Sequence, residues 1–87
     1  MYKVKKRDNT LVEFDLSKIS GAIVQAFEAQ NRQYNMNIID FLALKVTADF
    51  EPKVTNDSIT VEAIQDSVEE VLVQAGYADV AKAYILY

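Results

Sequence analysis

The apolar positions of this chain change period along its length, and each change marks an element. Tyr2-Lys3-Val4-Lys5-Lys6-Arg7 opens with β-formers at even positions and then breaks into a basic triplet. Asp8-Asn9-Thr10 is a turn signal, because Asn tolerates the left-handed backbone a tight hairpin demands. Leu11 to Phe14 resumes the β pattern with Val12 and Phe14 on one face, so the first fourteen positions predict a β-hairpin. From Leu16 the period becomes helical. Ile19, Ala22, Ile23, Ala26 and Phe27 form one apolar stripe, with Asp15 or Ser17 available as its cap. Gly21 inside that helix costs roughly 1 kcal/mol against alanine, and the expectation is a close approach there by another backbone or a ligand. Asn31 to Asn37 is polar and reads as a loop.

A second helix is predicted from an N-cap at Asn37 to about Asp49, burying Ile38, Phe41, Leu42, Val46 and Phe50. Glu51-Pro52-Lys53 ends it, and Thr55-Asn56-Asp57 continues as turn residues. Ser58-Ile59-Thr60 is β-prone and fits a third strand beside the hairpin. Val61, Ile64, Val68, Val71, Leu72 and Ala75 trace a third helical stripe, stopped by Gly76 at the position after the cap. Ala78 to Tyr87 reads as a fourth helix, with Val80, Ala83, Tyr84 and Tyr87 on one side and no terminator. That uncapped ending suggests a module of a longer polypeptide. The order β-β-α-α-β-α-α is an α+β pattern: a four-helix bundle with a small sheet as a lid over one end.

Composition narrows the chemistry. The 87 residues include neither Cys nor His, which removes disulfides, zinc ribbons, imidazole ligands and His-dependent triads together. The longest unbroken apolar run, Ala83 to Tyr87, falls far short of the roughly 20 residues a membrane span needs. These features point to a soluble, cytoplasmic protein of a reducing compartment that is no enzyme by itself. The net charge of −4 hides an asymmetry, with the basic excess in the first seven residues and an acidic remainder. An acidic chain is a poor ligand for duplex nucleic acid, whereas a local basic strand suits a small anion. The plainer use of such a strand is as a solubilising edge that discourages strand addition.

The thirteen carboxylates form no convincing catalytic dyad, and Asp66, Glu69 and Glu70 read as a solvated helix face. With Gly21 and Gly76 as the only glycines, neither a Walker loop nor a dinucleotide fingerprint can be built. What remains is side-chain cations plus a helix start. Lys6 and Arg7 end the first strand, and Lys18 sits in the first turn of the first helix, where exposed amides add to the same field. A directly returning strand brings Lys18 toward the open end of the hairpin and within reach of Lys6. Three cations around a helix start suit a polyphosphate, and Val4, Ile19 and Ile64 are candidates for an apolar slot for a base.

Val4-x-Lys6-Arg7-Asp8 followed by Val12-x-Phe14-Asp15-x-x-Lys18-Ile19 resembles the opening signature of the ATP-cone. Val61-Glu62-x-Ile64-Gln65-Asp66-x-Val68-Glu69 and Gly76-Tyr77-x-x-Val80-Ala81-x-Ala83-Tyr84-Ile85 resemble its second half, in the right order. The resemblance implies a four-helix bundle capped by a three-stranded mixed sheet. It also implies a function: the regulatory domain of a ribonucleotide reductase, switched on by ATP and off by dATP at one site. By position it implies that Val4, Ile19, Val61 and Ile64 line the base pocket and that Lys6, Arg7 and Lys18 hold phosphates. Asp15 and Gln65 fall where the family makes polar contacts to base or sugar.

The partners so implied are an adenine nucleotide, with Mg²⁺ as a candidate companion, the catalytic domain of the same chain, and further copies meeting through cone contacts. Nucleic acid and membrane are not among them. Asn9 stands where the family commonly has glycine, and Asn adopts the same backbone. Gln65 and the Ala83-Tyr84-Ile85 ending look most like the version in anaerobic glycyl-radical ribonucleoside-triphosphate reductases. Two other readings stand beside this one: a degenerate cone serving as a protein interaction module, and the nucleotide-sensing part of a transcriptional repressor.

Overall fold

The computed structural model describes residues 2–84. Its elements are β1 (Lys3–Lys5), β2 (Leu11–Glu13), α1 (Leu16–Ala29), α2 (Met36–Phe50), a single 3₁₀ turn (Glu51–Lys53), β3 (Ser58–Thr60), α3 (Val61–Gln74) and α4 (Ala78–Ala83). The sheet order is β2-β1-β3. Strand β1 pairs antiparallel with β2 (Val4 opposite Val12) and parallel with β3 (Val4 opposite Ile59), so the sheet is mixed. The predicted α+β fold of four helices and a three-stranded lid is the one observed. The strands are shorter than the Tyr2–Arg7 and Leu11–Phe14 segments that suggested them. Lys6 and Arg7 leave the ladder to form the turn.

A single buried cluster runs from Val4 and Ile59 in the sheet to Phe27 and Leu72 in the helices. Three rings lock the sheet onto the bundle: Tyr2, Phe14 and Phe50 lie with centroids 5.0–5.9 Å apart, the two contacts to Phe50 being edge-on. Since α2 ends at Phe50, the helices alternate in direction, and the α1–α2 and α3–α4 connections lie at the end remote from the sheet.

Both helices that end there close with the same motif. In α3, Gly76 (φ 90°) follows the cap, its N–H donating to the Val73 carbonyl at 3.1 Å and the Tyr77 N–H to Leu72 at 2.8 Å. In α1, Asn31 (φ 54°) takes the glycine's place, with Asn31 N–H donating to Glu28 at 3.0 Å and Arg32 N–H to Phe27 at 2.9 Å. These are Schellman endings, in which a left-handed residue turns the chain back to satisfy the last carbonyls.

Several expectations are corrected. The N-cap of α2 is Asn35, whose side chain accepts from Ile38 N–H at 2.9 Å, and Asn37 is already helical. The buried face of α2 is Ile39, Leu42, Ala43, Val46 and Phe50. Phe41 is 60% exposed and Ile38 only half-buried, because packing against α1 and α3 selects the stripe one residue on. Ala75 is exposed, since it is the α3 cap and no longer on the packed face. A Cβ at Gly21 would meet nothing within 4 Å among the described residues, so no close approach by another backbone among them explains that glycine. Helix α4 stops at Ala83. Tyr84 is extended (φ −74°, ψ 127°), and its carbonyl accepts from Gln65 Nε2 at 3.1 Å instead of continuing the helix. The rest of the expected helix, through Tyr87, lies outside the described residues.

Candidate functional site

The basic triplet is presented by a tight turn. Lys6 N–H donates to the Thr10 carbonyl at 2.8 Å and Asn9 N–H to the Lys6 carbonyl at 2.9 Å, with Asn9 left-handed (φ 69°) as the turn requires. Asp8 locks it from the side, its Oδ1 accepting from Thr10 Oγ1 at 2.6 Å and Thr10 N–H at 3.0 Å. The Thr10 hydroxyl first, and then its N–H, hold the Asp8 carboxyl below the usual carboxylate range. Lys6 emerges half-buried and Arg7 exposed.

Asp15 caps α1. Its Oδ1 accepts from Ser17 Oγ at 2.6 Å and Ser17 N–H at 3.0 Å, and these bonds lower its pKa. One oxygen of this expected nucleotide contact is therefore committed to the helix start. Ser17, the other cap candidate, is the donor to that oxygen. Lys18 lies in the first turn of α1, as expected, and is exposed.

The register separates these two groups along the hairpin. Lys6 and Arg7 follow the Lys5–Leu11 pair at the turn, while Asp15 and Lys18 follow Glu13, which pairs with Lys3 at the open end. Two steps of ladder, about 7 Å, lie between those pairs. The hairpin thus carries cations at both ends, and strand pairing alone does not bring Lys18 to Lys6.

Val4, Ile19, Val61 and Ile64 are all sealed in the core. Each of the helical three has a polar neighbour one residue away: Lys18 beside Ile19, Glu62 beside Val61 and Gln65 beside Ile64. A step of about 100° around a helix takes the chain from core to its edge. Gln65 is the half-buried member. Its Nε2 donates to Tyr84, whereas its Oε1 is buried without a hydrogen-bond partner among the described residues. A buried acceptor left so costs about 1–3 kcal/mol, and a donor supplied by a ligand would recover it. The carbonyl of Tyr84 fixes the amide's orientation, because the flipped amide would set two oxygens face to face.

Sequence reasoning assigned no role to two ionic contacts. Arg7 Nε meets Glu62 Oε2 at 3.5 Å, bringing the hairpin turn to the first turn of α3. At the remote end Arg32 Nη1 donates to both oxygens of Asp79 at 2.8 Å, and its guanidinium lies 5.0 Å from the Tyr77 ring centroid. An acidic residue just after a helix cap is a signal for the first. Nothing local marks the second, since Arg32 stands in a polar loop.

Chemically the arrangement can bind an anion and little more. Among the described residues no group of three or more Asp or Glu is placed to hold a metal ion. The outer face of α3, where Asp66, Glu69, Glu70 and Val73 line an open groove, has the wrong charge for a phosphate.

Comparison with known proteins adds the family. The family model described as ATP cone domain matches residues 2–87. A ribonucleoside-diphosphate reductase subunit alpha from Chlamydia pneumoniae is 39% identical over 88 residues, covering 94% of this chain and 8% of that protein. Vitamin B12-dependent ribonucleoside-diphosphate reductases from Thermoplasma acidophilum and Mycobacterium tuberculosis are 40% and 38% identical over 98% of this chain, which spans 11% and 12% of their lengths. The chain thus corresponds to roughly a tenth of the length of these relatives.

Proposed function

The chain belongs to the ATP-cone family, and from that membership we propose that it is a regulatory domain that binds ATP or dATP and sets the overall activity of a ribonucleotide reductase. ATP activates and dATP inhibits. The catalytic domain is its partner within a longer chain, and contacts between cones relay the state of the site. Lys6, Arg7 and Lys18 hold the phosphates, and Mg²⁺ accompanies them without a carboxylate cluster of the protein. Val4, Ile19, Val61 and Ile64 form the apolar floor of the base site, and Asp15 borders it.

The observation that carries this reading is Gln65. A buried amide oxygen with no donor among the described residues stands at the position where the family contacts base or sugar, beside buried Ile64. An adenine amino group or a ribose hydroxyl is the kind of donor it lacks. The finer assignment to an anaerobic triphosphate reductase rests on Gln65 and the Ala83-Tyr84-Ile85 pattern; the relatives above are diphosphate reductases.

Calorimetric titration of the 87-residue chain with ATP, dATP and GTP tests the reading. Adenine nucleotides bind, GTP does not, and Lys6→Ala weakens binding by about 1.5–3 kcal/mol, the scale of a charge-assisted hydrogen bond. Equal affinity in wild type and Lys6→Ala would refute the site assignment.

A further inference from the structure

Of the cations assigned to phosphate, Arg7 has a carboxylate in contact, at 3.5 Å from Glu62. The parallel register of β1 and β3, with Lys5 opposite Thr60, carries the hairpin turn over the start of α3. Thr60 caps that helix, its hydroxyl accepting from Ala63 N–H at 3.1 Å, and Glu62 follows in the first turn. Glu62 therefore sits against two positive features at once: the Arg7 guanidinium and the amide end of α3.

The pair is a poor structural tie. The side chains are 52% and 58% exposed, and the contact is long. Such pairs add little to a fold, because water screens them and two long side chains lose freedom in making them. The same carboxylate matters more to a phosphate chain arriving at Arg7. It occupies the guanidinium before binding and repels the phosphates afterwards, the more so with every charge on the ligand. Holding Arg7 in place works the other way, but a long contact between exposed side chains restrains an arginine weakly. Repulsion outweighs that restraint.

We propose that Glu62 is an electrostatic brake on nucleotide affinity, competing with the phosphates for Arg7 and weighing most heavily on the triphosphate. This rests on the nucleotide-site reading above. Removing the charge at Glu62 tightens binding in the order ATP, ADP, AMP. Glu69 and Glu70 are the controls. They lie on the same helix about 10 Å or more further along its axis, beyond the roughly 8 Å over which exposed charges act at physiological salt.

The experiment is calorimetric titration of ATP, ADP and AMP into the wild-type chain, Glu62→Gln, Glu70→Gln and the Arg7→Ala/Glu62→Gln double variant, with circular dichroism confirming the fold of each. Glu62→Gln is expected to bind ATP about three- to fivefold more tightly, with a smaller gain for ADP and the least for AMP. The gain shrinks in 0.5 M salt, on the order of a 4 Å Debye length. Glu70→Gln matches wild type, and in the Arg7→Ala background the Glu62 gain is reduced. ATP binding by wild type with equal or weaker binding by Glu62→Gln overturns the brake, as does an equal gain for ATP and AMP. Failure of wild type to bind any adenine nucleotide is a different result: it overturns the site reading, and the brake with it.

Discussion

The two ends of the bundle are built from the same parts and use them differently. Among the described residues each has a trio of packed aromatic rings and an arginine–carboxylate contact. At the remote end Phe27, Tyr34 and Tyr77 pack with Arg32, which reaches both Asp79 oxygens at 2.8 Å while lying over Tyr77. Arg32 and Tyr77 occupy equivalent places, each being the second residue past its helix cap in a Schellman ending. Stacking them ties the two reversals of the chain together. At the sheet end Tyr2, Phe14 and Phe50 provide the packing, and Arg7 meets Glu62 through a longer contact on a more exposed surface. A short, two-oxygen, ring-backed pair is a clamp. A long, exposed pair yields to a better anion.

The deepest test of that contrast removes packing from the sheet end. Phe50→Ala is expected to cost about 3–5 kcal/mol, a large part of the roughly 5–15 kcal/mol that holds a domain folded. Urea denaturation reads this as a collapse of the midpoint, against a smaller loss for Tyr77→Ala, whose ring is only half-buried.

Exchanging the arginines separates binding from stability. Arg7→Ala is expected to weaken ATP by about 1.5–3 kcal/mol and leave the thermal midpoint nearly unchanged. Arg32→Ala should do the reverse, losing about 1 kcal/mol of stability through the ring contact and the ion pair with unaltered nucleotide affinity. Equal effects of both variants on both readouts would erase the distinction.

The matched helix endings give a smaller effect. Gly76→Ala places a Cβ at φ 90° and is expected to cost about 1 kcal/mol in chemical denaturation. Asn31→Gly, at the equivalent position of α1, should leave stability level or slightly higher.

Acid titration gives the subtlest difference. Burial raises the Asp79 carboxyl, but the Arg32 hydrogen bond, the Val80 N–H and the Arg32 charge outweigh it and leave the pKa lowered. A carboxyl held below its unfolded value of about 3.9 binds its proton less readily in the folded chain. Its contribution is therefore complete above that value and lost as the pH falls through the lower folded one. Asp79→Asn is expected to flatten the acid limb of the stability–pH curve, measured by thermal melts between pH 2 and 6.

Much of this architecture is legible in local pattern. The β-hairpin with Asn9 at its turn, the third strand at Ser58–Thr60, the stripe from Ile19 to Phe27 and the stop at Gly76 all follow from neighbours a few residues apart. Periodicity and turn chemistry are properties of short segments, so the sequence determined them alone, and the ordered motifs carried the family. Tertiary structure decided between options that local pattern leaves equal. Helix α2 has apolar residues nearly all round, from Met36 through Leu44, and only packing against α1 and α3 buried Ile39 and left Phe41 outside. Lys6, Arg7 and Lys18 were legible as cations near turns and a helix start. The Asp15 cap was one of two the sequence offered; that Arg7 meets Glu62 and that Gln65 takes the Tyr84 carbonyl were not legible. Those partners are set by which elements fold against which, a long-range outcome that residue type and spacing do not encode.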